Sequence, residues 1–87
     1  MKLLDNDLVL VYWVDSRQPI SNWQYLDDLP EPLLVNCVSV GWRVFENSDV
    51  LMLAPNIGDI KFQDCKQISG LITIAVCSIQ KIQKIDT

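Results

Sequence analysis

The sequence predicts a mainly β fold: one domain of four to six short strands curled into a small barrel, with one short N-terminal helix. Three observations carry this reading. Short runs rich in β-branched and aromatic residues recur along the chain, polar turn residues separate them at short intervals, and the clearest run alternates with the two-residue period of a strand. An open sheet of this size leaves two unpaired edges, and closure into a barrel removes them.

The elements follow in order. Residues 8–14 (LVLVYWV) form a continuous apolar run between Asp7 and the polar stretch Asp15, Ser16, Arg17, Gln18, Pro19, which predicts a strand buried on both faces. Ser21 with Gln24 three positions later makes a capping-box pattern. Trp23 and Leu26 then share a face before Asp27, Asp28, Pro30 and Pro32, so a helix of one or two turns is expected there. Between residues 34 and 45, Leu34, Val38, Val40, Trp42 and Val44 alternate with Cys37, Ser39, Gly41 and Arg43; the bulky set reads as the core side. Gly41 has no side chain to pack and marks a bend or bulge.

Glu46, Asn47, Ser48 and Asp49 make a tight polar connection, and residues 50–54 (VLMLA) resume as the second strand of a hairpin. Residues 55–59 punctuate the chain, and residues 60–67 read as a loop or frayed edge pair. At the end, Ile68, Ile72, Ile74 and Val76 share an alternating face, whereas Ile79, Ile82 and Ile85 fall at intervals of three. A strand, a 3₁₀ turn and a closing strand explain that change of period, and an amphipathic C-terminal helix is the competing reading.

Composition bounds the rest. A chain of 87 residues holds one domain and buries only about 60 to 65% of its unfolded surface. With 49% hydrophobic residues and no disulfide framework or metal motif, apolar burial must supply nearly all the stability, in part against a partner subunit. The three cysteines, Cys37, Cys65 and Cys77, are widely spaced in apolar surroundings and read as reduced thiols of a cytoplasmic protein. The N-terminal residues do not form a signal-peptide pattern, and no apolar run approaches the ~20 residues needed to span a bilayer. The net charge of -4 disfavours salt-driven binding to nucleic acid.

The segments Tyr12-Trp13-Val14-Asp15-Ser16, Ser39-Val40-Gly41-Trp42, Leu53-Ala54-Pro55 and Gly70-Leu71-Ile72-Thr73-Ile74, followed by Ile79 and Ile82, resemble a group of short uncharacterised proteins from phages and bacterial mobile elements. That resemblance implies a phage or prophage origin and transfers no activity. In that group a proline stands where this chain has Ala75, which implies a softer turn here. A looser resemblance is to SH3-like and Sm-like barrels, carried by the strand with Val40, Gly41 and Trp42, the turn at Glu46 to Asp49, and the tail from Ile74 to Ile85. It implies the barrel but not RNA binding, since the Asp and Asn pattern with which Sm-like rings hold bases has no counterpart.

Chemistry is narrowed mainly by exclusion. The chain has no histidine, which removes Ser/His/Asp and Cys/His nucleophile systems and His-ligated metals. Gly41, Gly58 and Gly70 are too far apart for a phosphate-binding loop. Asp5 and Asp7 lack the ligand pattern of a calcium loop, and pairs such as Asp15 with Asp59 read as surface carboxylates. No cofactor and no enzymatic activity are expected.

Candidate binding residues are Asp15, Ser16 and Arg17, beyond a strand end; Trp13 and Trp42, as aromatics near polar segments or in the core; and Arg43, opposite Trp42. The expectation is a non-enzymatic protein that forms a homo-oligomer and binds a host protein or a small ligand, without a membrane association. Two alternatives stand beside it. One is nucleic-acid binding through Lys66, Lys81 and Lys84; the other is sequestration of a defence signalling nucleotide between subunits by Arg17, Arg43, Trp13 and Trp42.

Overall fold

The computed structural model describes residues 7–61 and 66–86. Cys65 and Asp5 lie outside the described residues. The fold is mainly β, and no α-helix occurs among the described residues. Seven strands run in chain order: β1 (Leu8–Asp15), β2 (Val35–Glu46), β3 (Val50–Ala54), β4 (Asn56–Gly58), β5 (Gln67–Ser69), β6 (Ile72–Ala75) and β7 (Ile79–Lys84). Five of them form one antiparallel sheet in the order β6-β3-β2-β1-β7, and β4 pairs with β5 as a separate ribbon.

The long strand β2 is shared between two ladders. Residues 35–42 pair with β1, from Asp15 opposite Val35 to Leu8 opposite Trp42. Residues 42–46 pair with β3, with a register shift between Arg43 and Phe45. Gly41 sits at the handover. A Cβ there would lie 3.1 Å from the Ala54 carbonyl oxygen and 3.2 Å from Leu53 Cβ, so glycine is what lets β3 come this close.

The core lies on one side of this bent sheet. Val9, Val11, Leu51, Leu53 and Ile74 are fully enclosed, and Trp13, Ile72 and Ile79 pack around them. Register identifies the side of β2 that faces them. Gly41 opposes Val9, Ser39 opposes Val11, and Cys37 opposes Trp13, and directly paired residues share a face. The sequence-based choice of face is therefore inverted. Cys37, Ser39 and Gly41 face inward, whereas Val38 and Val40 are 57% and 53% exposed. The inward side of β2 carries only small side chains at 37, 39 and 41, while β1, β3 and β6 supply the bulk of the core. The strand β1 is likewise buried on one face, and its outer residues Leu8, Leu10, Tyr12 and Val14 are only half-covered.

Two further expectations are corrected. Strand pairing does not close the sheet into a barrel, because β6 and β7 are its two edges. The 3₁₀ turn Val76–Ser78 carries the chain from one edge to the other, and both edge strands contribute to the core, β6 through Ile74 and Ile72 and β7 through Ile79. The predicted N-terminal helix is also absent. Only one 3₁₀ turn, Leu26–Asp28, forms, and it has no side-chain cap. A helical nucleus is costly, Pro30 and Pro32 block its extension, and nothing packs against it: Trp23 is 101% exposed.

Two local expectations hold. The hairpin between β2 and β3 turns on Asn47, whose Oδ1 accepts from the backbone N–H groups of Asp49 and Val50, each at 2.8 Å. From Ile72 onward the C-terminal run is a strand, a 3₁₀ turn and a strand, as the change of isoleucine spacing predicts, and the helical alternative is not adopted; Ile68, expected on the same strand face, belongs instead to β5, and Val76 to the 3₁₀ turn. In the segment expected as punctuation, residues 56–58 instead form β4. The link from β5 to β6 passes through Gly70 at φ 75°, where a Cβ would lie 2.8 Å from Pro55 Cγ.

This packing makes a direct prediction for stability in urea. Leu53→Ala is expected to cost about 2–5 kcal/mol, and Gly41→Val about 1–3 kcal/mol by overpacking. An unchanged unfolding midpoint for Gly41→Val would refute the tight bend, since an outward valine would favour the strand.

Candidate functional site

The six residues expected to form a site fall into separate places. Asp15 ends β1, with its Oδ1 accepting from the Ser16 backbone N–H at 2.8 Å, and both residues are exposed. Arg17 uses its Nε to donate to the Leu33 carbonyl at 2.9 Å, tying together the two ends of the segment that links β1 to β2. These three residues build the base of that segment. Trp42 and Arg43 lie at the opposite end of the β1–β2 ladder, roughly 20 Å away at the rise of an extended strand.

Trp13 is taken up by the interior. It packs against the core, and its Nε1 donates to Ser39 Oγ at 3.0 Å. Trp42 is half-buried beside Leu8, on the outer face rather than in the core. Arg43 shares the inward side of β2 with Gly41 and opposes Leu53, and its Nη1 lies 2.8 Å from Glu46 Oε1. Arg17 and Arg43 thus do not converge within one chain. Cys37 is half-buried on the inward face and Cys77 is exposed in the 3₁₀ turn, both as free thiols. Among the described residues, no three His, Cys, Asp or Glu side chains gather as metal ligands.

What the fold brings together instead is apolar surface. On the outer face of the β1–β2 ladder, Leu10 stands opposite Val40 and Tyr12 opposite Val38. The strand β7 flanks them, with Lys81 opposite Tyr12 and its Nζ 5.6 Å from the ring centroid. A second apolar surface is the arm formed by residues 16–34. Every residue of the arm is exposed, including Ile20, Trp23, Tyr25, Leu26, Leu29, Leu33 and Leu34. Its internal order is slight: Asp28 N–H donates to the Tyr25 carbonyl, and Leu33 N–H to the Glu31 carbonyl.

The sequence reading missed both surfaces, although a signal for one was present. Small residues at 37, 39 and 41 fit the inside of a bend better than valines do. The chain matches no protein-family model, no curated protein and no solved structure.

The half-buried Trp13–Ser39 bond supplies a test of the inward assignment. Trp13→Phe and Ser39→Ala should each cost about 1 kcal/mol, and the double variant should cost clearly less than their sum. Additive losses in a denaturation cycle would place the two side chains apart.

Proposed function

We propose that this chain is a non-enzymatic, self-associating interaction protein, of phage or prophage origin and acting in the cytoplasm, whose assembled form docks a host protein or a small ligand. The observation that carries the reading is the imbalance between what is buried and what is exposed. Among the described residues the core comprises Val9, Val11, Leu51, Leu53, Ala54 and Ile74, while large apolar side chains stand exposed along the arm and the outer sheet face. Contiguous apolar surface of this extent marks an interaction site.

The shape points the same way. The radius of gyration is 17.3 Å, against about 12 Å for a compact chain of this length. The fold reading that goes with the proposal is a partly open SH3-like barrel. Its support is the strand order β7-β1-β2-β3-β6, the bend at Gly41 within β2, and the 3₁₀ turn linking the two edge strands. The observations favour neither alternative ligand class: the net charge is -4, and Arg17 and Arg43 stand at opposite ends of the ladder.

Light scattering on the purified protein across micromolar concentrations tests the reading. A defined multimer at low and moderate salt is expected, since an apolar interface is weakened little by screening. A monomer at every concentration would overturn self-association.

A further inference from the structure

The arm and the outer face of the β1–β2 ladder are complementary in chemistry, and each is open. We propose that they pair between two copies of this chain. Residues 23–29 of one copy lie across Leu10, Tyr12, Val38 and Val40 of the other, and the reciprocal contact closes a two-fold dimer. This rests on the self-association proposed above and names the surfaces that would carry it.

Four observations support a second copy as the occupant. The first is exposure on both sides. Trp23 is 101% exposed, Tyr25 and Leu26 are each 82% exposed, and Val38 and Val40 are more than half open, so the arm does not cover its own sheet. The second is area. The accessible surface of 7003 Å² exceeds by about 1,800 Å² that of a compact protein of this mass, whereas a stable interface needs only about 800 Å² from each partner.

The third is charge. The arm carries Asp27, Asp28 and Glu31 among its apolar residues, with Arg17 as its one basic residue, held at the base by the Leu33 carbonyl. The sheet face is flanked by Lys81, stacked over Tyr12. An acidic apolar segment thus meets an apolar face with a basic margin.

The fourth is preorganisation. The preorganisation is confined to the base and to single positions: the ladder pair Asp15 and Val35 and the exposed Arg17–Leu33 bond bring the ends of the arm together, and Pro19, Pro30 and Pro32 each fix one φ. Less entropy is then lost on docking. Trp and Tyr at the tip are the side chains that most often dominate an interface.

Two variants and their mixture test the proposal. An arm variant, Trp23→Ser with Leu26→Ser, and a face variant, Val40→Asp, are compared with the parent by sedimentation equilibrium. Each variant alone should dimerise about a hundredfold more weakly, whereas an equimolar mixture should regain part of the dimer, because the heterodimer retains one intact arm–face contact.

A photo-cross-linking residue at position 23, in a mixture of ¹⁵N-labelled and unlabelled chains, gives a readout independent of whether the face variant folds. Mixed-isotope cross-links to β1 or β2 are expected. A parent dimer that the arm variant leaves intact, or cross-links only within one chain, would overturn the arm exchange while leaving self-association standing. A monomeric parent would overturn both, and open-ended polymers would overturn the closed two-fold arrangement.

Discussion

The strand β2 passes from one neighbour to another along its length, and the close approach at that handover governs much of the packing. Its first part belongs to the ladder with β1 and its second to the ladder with β3, and the change of partner falls at Gly41 and Trp42. At Gly41 the backbone of Ala54 approaches so closely that any side chain would have to displace it. The Gly41 side of β2 is the one that faces the core. Small residues at 37, 39 and 41 then become the inward set, and the core draws its volume from Val9, Val11, Leu51, Leu53 and Ile74 on the strands to either side.

The same constraint decides what lies outside. Once the alternate positions of β2 turn inward, Val38 and Val40 are forced outward, and pairing places them beside Leu10 and Tyr12. An apolar outer face is therefore a geometrical consequence of the bend combined with a β1 that is apolar on both sides. The sheet edges are managed differently. Along β7, Lys81 and Lys84 keep charge on the edge strand, and Lys84 Nζ lies 3.2 Å from Asp7 Oδ1. The other edge, β6, is a strand of only 4 residues, too short to template extensive pairing.

Much of the strand content was legible in the sequence because local chemistry determined it. The hairpin at Asn47 and the 3₁₀ turn between β6 and β7 depend on side-chain capping and isoleucine spacing within a few residues. The choice of face for β2 was not legible. Period two separates two sets of residues without saying which is inside, and residues 8–14, apolar throughout, offered no tie-breaker. The helix signal at Ser21 and Gln24 was real as a pattern, but a turn with no surface to pack against gains too little to form. The polar residues chosen as a site were strand-end and turn residues with local partners: Asp15 caps Ser16, and Arg17 closes the arm.

A core this small leaves little margin for stability. The side chains enclosed by one copy suffice to organise the bend and the three central strands, yet a chain of this length has little apolar burial to set against its conformational entropy. The outer face and the arm hold the apolar surface that remains. A partner that covered them would bind the folded chain and not the unfolded one, and would add to stability by mass action. The fixed base of the arm matters in that balance. The Arg17–Leu33 bond and the ladder pair at Asp15 and Val35 bring the two ends of the arm together, while residues 23–29 are exposed. The placement of both surfaces thus follows from how the chain folds, and the close approach at Gly41 is where the inward and outward sets of β2 are decided.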